Sequence, residues 1–209
     1  MQSIVKPEIP AAPIVDEIYA NESASGGLRP WWRSVAEIVV MLLILIGLLN
    51  LLTISAELNG SSMEPTLNPG ERVIASRITY VLLSPQRGDV VVLRDPLNDS
   101  GLLVRRVVGL PGELVELRGR QVLVNGQPLT ENYIGNPLLI GDNITATSQT
   151  QLLDNQYYLM GDNRLSINDS RSWGAIQGDL IQGRAWLIYW PPESIGFVKY
   201  ERYEQTPTP

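Results

Sequence analysis

From Ile38 the chain reads Ile-Val-Val-Met-Leu-Leu-Ile-Leu-Ile-Gly-Leu-Leu without a polar residue, and with Asn50 tolerated the apolar run continues through Leu52 to Ala56. As a helix, residues 38 to 56 extend about 28 Å, close to the roughly 30 Å of a bilayer's hydrocarbon core. The run has no polar face, which argues against a soluble amphipathic helix, and it begins too far from the start for a cleavable secretory signal. After Ala56 the pattern changes to short β-branched runs: Val90 to Leu93, Val104 to Val108, Leu114 to Leu117 and Val122 to Val124. These predict strands. Arg118-Gly119-Arg120 separates two alternating runs as a hairpin would, and Asn125-Gly126 supplies a second tight turn. Tyr157 to Met160 and Ile181 to Trp190 read as returning strands, closed by Pro191-Pro192, while Leu129 to Thr150 reads as a polar, irregular surface excursion. Ile78 to Leu83 fits either a core strand or an exposed apolar patch. The pattern therefore predicts an all-β domain preceded by a single N-terminal transmembrane helix. Its boundaries are a flexible cytoplasmic tail at 1–30, the helix at 31–56, the β domain at 57–199 and a C-terminal tail at 200–209.

Charge orients the helix. Arg29 and Arg33 flank its N-terminal side beside Trp31 and Trp32, and the nearest cation beyond it is Arg72. The bias predicts a single-pass protein of the cell membrane with a cytoplasmic N-terminus and an extracytoplasmic β domain. A net charge of -6 and no basic patch argue against nucleic acid as a partner. The 209 residues include no cysteine and no histidine, which removes disulfides, a Ser-His-Asp triad and nearly every zinc arrangement. No metal or other cofactor is expected. Lysine occurs only at Lys6 and Lys199.

The chemistry concentrates in Asn59-Gly60-Ser61-Ser62-Met63-Glu64-Pro65-Thr66-Leu67, directly after the apolar run. Small residues before a Pro-Thr turn suit a backbone that must let another chain approach a hydroxyl, although most Gly-Ser-Ser stretches are ordinary turns. Three segments in order carry a stronger signal. Gly60 to Leu67 resembles the nucleophile box of type I signal peptidases, the membrane-bound serine endopeptidases that remove signal peptides. Arg105-Arg106-Val107-Val108-Gly109-Leu110-Pro111-Gly112-Glu113 resembles the family's Lys-Arg-Val-Ile-Gly-Leu-Pro-Gly-Asp box. Gly161-Asp162-Asn163-Arg164 through Asp169-Ser170-Arg171-Ser172-Trp173-Gly174 resembles its last box, and Arg87-Gly88-Asp89-Val90-Val91-Val92 resembles a structural strand of these enzymes.

The resemblance implies a signal-peptidase-like fold, preproteins with signal peptides as partners, and an Ile78 to Leu83 patch that meets membrane lipid. It implies Ser62 as nucleophile, with Ser61 next, and the Ser62 backbone N–H in an oxyanion hole; the second donor some relatives place at the Gly60 position is absent here. It also implies that Arg106, Asp162, Asp169 and Arg171 support the site structurally, with Asp169 available to pair with Arg106. Two positions depart from the family's pattern. Arg105 stands where the family has its base lysine, and Ile167 where it has the serine that supports that lysine. A guanidinium stays protonated and offers only donors, so Arg105 is not competent as a base. Ser166 adjoins Ile167 but would face the other way on an extended segment. Lys199, Glu64, Asp89, Asp162 and Asp169 are the remaining candidate bases, each with a blander structural role. Two readings follow: a membrane-anchored serine endopeptidase whose base is replaced, or a non-catalytic signal-peptide-binding or regulatory homologue, a pseudoenzyme beside an active paralogue.

Overall fold

The computed structural model of the protein describes residues 31–119, 121–135, 147–201 and 203. The predicted tail at 1–30 and most of the C-terminal tail lie outside the described residues. Trp31–Leu52 form helix α1, 22 residues long and apolar enough to cross a membrane. It ends four residues before the predicted boundary at Ala56. The Thr53 hydroxyl donates to the Leu49 carbonyl at 2.8 Å, satisfying one of the last turn's free acceptors, and the chain then becomes a strand.

That strand, β1 (Thr53–Glu57), pairs antiparallel with β2 (Arg72–Ser76) over its whole length, from Thr53 opposite Ser76 to Glu57 opposite Arg72. The β-branched Thr53 and Ile54 gain a full ladder there, which overrides the continuation of the helix. Ile78 to Leu83 is not a core strand. Thr79–Leu82 form a short helix, α2, with Ile78, Val81, Leu82 and Leu83 exposed.

The remaining strands are β3 (Val90–Asp95), β4 (Asn98–Gly109), β5 (Leu114–Arg118), β6 (Gln121–Val124), β7 (Gln127–Pro128), β8 (Thr147–Gln151), β9 (Gln156–Met160), β10 (Ile176–Gln177), β11 (Ile181–Trp190) and β12 (Gly196–Phe197). A third helix, α3, is the single turn Ser170–Trp173. Among the described residues, the larger sheet runs β1-β2-β11-β3-β4-β9-β10, with β12 added to β11, and the smaller runs β7-β6-β5-β8. Both predicted hairpins form, with Arg120 of the first lying outside the described residues. Arg118 faces Gln121 across one, and Asn125 and Gly126 take φ of 52° and 78° in the other, the left-handed pair that a two-residue hairpin demands. The excursion at 129–150 is more structured than its polarity suggests, because Thr147–Gln151 pair with β5 as β8; residues 136–146 lie outside the described residues.

Strand β3 shows how the core is divided. Val90 and Val92 pack with Ala56, Leu58, Met63, Leu67, Val73 and Val104 on one face, while Val91 and Leu93 pack with Val107, Leu159 and Ile181 on the other. Alternation along a strand buried on both faces requires four consecutive apolar residues, and the sequence supplies them. The predicted C-terminal tail begins inside the fold rather than after it. Tyr200 is half-buried with its hydroxyl bonded to the Ala185 carbonyl, and a Cβ at Gly88 would meet the Glu201 backbone.

Candidate active site

Ser62 owes its position to its neighbour. Ser61–Met63 form a 3-10 turn, and Met63 is fully buried in the core with Leu67, so Ser62 is held at the lip of the sheet. The turn is clasped from the far end of the chain. Asn163 N–H donates to the Ser62 carbonyl at 3.0 Å and the Asn163 side chain to the Ser61 carbonyl at 3.1 Å. Gly161 permits that approach, since a Cβ there would lie 2.5 Å from the Ser62 carbonyl oxygen.

Arg105 reaches Ser62 from β4. Its Nη1 donates to Ser62 Oγ at 2.9 Å and to the Val104 carbonyl at 2.6 Å, while Nε and Nη2 both donate to the Asn168 carbonyl, at 2.8 and 2.6 Å. The side chain is buried, and burial holds its pKa below the ordinary guanidinium value; the charges of Asp169 and Asp95 oppose that shift, and Arg171 adds to it. Ser62 and Arg105 lie on a cleft of about 400 Å³ bordered by Glu57 to Ser61, by Leu102 to Val104, and by Ser166 and Asn168.

Arg106, one residue on, faces the opposite side of the strand and pairs with Asp162 through Nε at 2.8 Å and Nη2 at 2.6 Å. Burial disfavours its charge, yet the hydrogen bonds and charge of Asp162 outweigh this and raise its pKa. The Thr66 hydroxyl donates to Asp162, and the Tyr133 ring lies 4.2 Å from the Arg106 guanidinium. The expected Arg106–Asp169 pairing is therefore corrected: Asp162 is the partner. Asp169 instead accepts from Arg171 Nε at 2.8 Å and Nη2 at 2.7 Å, from Gly161 N–H at 3.0 Å, and from Arg171 N–H as the cap of α3. The four supporting residues thus fix two separate clasps, one beneath each end of the 161–171 loop.

Comparison with known proteins gives this arrangement its family. A family model described as signal peptidase, peptidase S26, matches residues 31–190. The chain is 34% identical over 173 residues to a probable signal peptidase I-2 of Synechocystis sp., covering 80% of this chain and 77% of that protein. It is 32% identical over 196 residues to signal peptidase I of Leptolyngbya laminosa, covering 90% of each, and 34% identical over 177 residues to signal peptidase IB of Staphylococcus aureus, covering 78% and 90%.

This chain belongs to the peptidase S26 signal peptidase family.

Its β domain and N-terminal apolar helix are accordingly a signal-peptidase-like fold, and the departures of this family member can be located. Ile167 is 65% exposed and does not line the cleft, whereas Ser166 does. The two neighbours do face opposite sides, but the turn at 163–166, closed by Ser166 N–H on the Asn163 carbonyl, brings Ser166 rather than position 167 to the cleft. The other candidate bases are not brought to Ser62. Lys199 is exposed, and neither it nor Glu64 lines the cleft. Asp89 accepts from Tyr80 at 2.9 Å and lies 3.0 Å from Arg184 Nε, within ion-pair range though the N–H is not aligned; Asp162 and Asp169 are spent in the two clasps.

Among the described residues lining the cleft, the ionisable side chains are Arg105 and Glu57, and Glu57 is half-exposed and bridged to Arg72 at 3.1 Å. The sequence reading missed Glu57, which sits in no box of the family, and it missed the Asn168 carbonyl, because a backbone acceptor leaves no mark in a side-chain pattern. The Glu131–Arg164 ion pair and Tyr133, from the start of the excursion, were missed for the same lack of a motif.

Proposed function

We propose that this chain is a membrane-anchored member of the family that binds signal-peptide segments without activating Ser62 for hydrolysis. The observation that carries the reading is the 2.9 Å contact in which Arg105 Nη1 donates to Ser62 Oγ. A serine attacks only when a neighbour accepts its proton, and a guanidinium presents donors alone. Loss of one member of a catalytic unit lowers the rate on the order of 10⁴- to 10⁶-fold, or about 5 to 8 kcal/mol of barrier. The Ser62 N–H would still contribute to an oxyanion hole, but with nothing to generate the alkoxide it polarises a carbonyl that is not attacked.

Binding needs no base. On β4, Leu102 to Arg105 pair with β3 on one side, and β9 joins the other side only from Arg106 onward. That open edge borders the cleft and suits the addition of an extended peptide. Preproteins carrying signal peptides supply such segments, and an active relative in the same membrane is the partner with which this chain shares them. Helix α1 serves as the anchor, with residues 1–30 cytoplasmic and the β domain outside, and the Ile78 to Leu83 patch rests on lipid.

The test is binding and cleavage of a model preprotein by the purified full chain in detergent, beside Ser62→Ala. Binding by both with no cleavage by either is expected. Cleavage by the natural chain that Ser62→Ala abolishes would overturn the reading.

A further inference from the structure

Among the described residues of the β domain three arginines are buried, Arg105, Arg106 and Arg164, and two of them have a carboxylate. Arg106 holds Asp162 and Arg164 holds Glu131. Arg105, 4% exposed, donates to Ser62 Oγ, to the Val104 carbonyl and twice to the Asn168 carbonyl, all neutral oxygens, and among the described residues no carboxylate lies within ion-pair distance of it. A cation taken out of water is costly unless an opposite charge meets it. This one lines the cleft, at the end of the open β4 edge.

We infer that the Ser62–Arg105 end of the cleft receives the free C-terminal carboxylate of a peptide, so that the chain holds signal peptides already released by an active peptidase in preference to intact precursors. The inference rests on the reading of the cleft as a signal-peptide site and adds the state of the ligand. In an intact precursor, the group beside Ser62 is a neutral peptide carbonyl. After hydrolysis elsewhere the same carbon carries a carboxylate, and a negative charge arrives where Arg105 has none in contact, Asp169 and Asp95 acting on it only from beyond ion-pair distance. A guanidinium hydrogen-bonds a carboxylate more strongly than a neutral carbonyl, and with four of its five N–H donors engaged, the Nη1–H now given to the Ser62 hydroxyl is the one a carboxylate on the cleft would take over. The β4 edge selects a peptide terminus over a small free acid, since the strand pairing and the carboxylate contact act together on one ligand. The net charge of -6 disfavours anions in general, so a preference for the acid form has to arise locally.

The experiment measures fluorescence anisotropy of one signal-peptide sequence prepared as the C-terminal acid and as the C-terminal amide, binding to the full chain in detergent, with acetate as competitor. The acid is expected to bind at least tenfold tighter, about 1.4 kcal/mol. Arg105→Gln, checked for folding by thermal melting, is expected to bind both forms with the amide's affinity, and millimolar acetate is expected not to displace the acid peptide. Equal affinity of acid and amide for the natural chain would overturn the carboxylate inference and leave the signal-peptide reading standing, a comparison that needs no variant to fold. Failure of both peptides to bind would overturn both. Displacement by millimolar acetate would identify a site for any small carboxylate and overturn the assignment to a peptide terminus.

Discussion

Arg105 and Arg106 are chemically identical neighbours with opposite energetic roles, because alternation along β4 sends one to the cleft and the other to Asp162. Breaking the buried Arg106–Asp162 pair leaves an uncompensated charge, so Arg106→Met is expected to cost about 3–5 kcal/mol in urea unfolding. Arg105→Met is expected to cost less than about 1 kcal/mol by the same measurement. The sign follows from the direction of the shift. A cation whose folded pKa lies below its unfolded value destabilises the native state at neutral pH, and that penalty is relieved only as pH rises through the folded pKa, so removing the charge offsets the lost hydrogen bonds. At this scale, the sequence made Ser62 and Arg105 legible because both occupy boxes read by residue type. It placed Ser166 and Ile167 on opposite faces but chose the wrong one as inward, because the turn at 163–166 decides which of them meets the cleft.

The element that sets the site is the 3-10 turn Ser61–Met63, wedged between the buried Met63 and the 161–171 loop. Gly161→Ala would drive a Cβ to 2.5 Å from the Ser62 carbonyl oxygen and break the Asn163 bond to it. The expected cost is about 1–3 kcal/mol in chemical denaturation, together with weaker binding of signal peptide. Strands with apolar alternation and turns with their own residue chemistry were readable, as β3, β5, β6 and the Asn125-Gly126 hairpin show. Strand β8, Thr-Ser-Gln-Thr-Gln, was not, since an edge strand with polar side chains gives no hydrophobic period and is defined by its pairing with β5. Strand β1 was absorbed into the apolar run before it, for Thr53 to Ala56 are as compatible with a lipid-facing helix as with a strand.

For the whole molecule, the absence of cysteine makes orientation directly measurable. A single cysteine placed in the β domain of the membrane-inserted chain is expected to react with an impermeant maleimide from outside, and one placed within residues 1–30 only after the membrane is opened; the reverse pattern would invert the topology drawn from Arg29 and Arg33. The family could be recognised from three ordered boxes because they are the segments that meet in space, with Gly161 and Asn163 touching Ser62 across about a hundred residues. If the fold is intact and only the base is missing, preprotein cleavage by the full-length Arg105→Lys protein reveals it. A lysine there is expected to give cleavage that the natural chain lacks and that a second change, Ser62→Ala, removes, with Ile167→Ser adding little because position 167 faces solvent. Cleavage by the natural chain that depends on Ser62 would mean instead that a base is present, and would point to Glu57, the other ionisable side chain among the described residues lining the cleft.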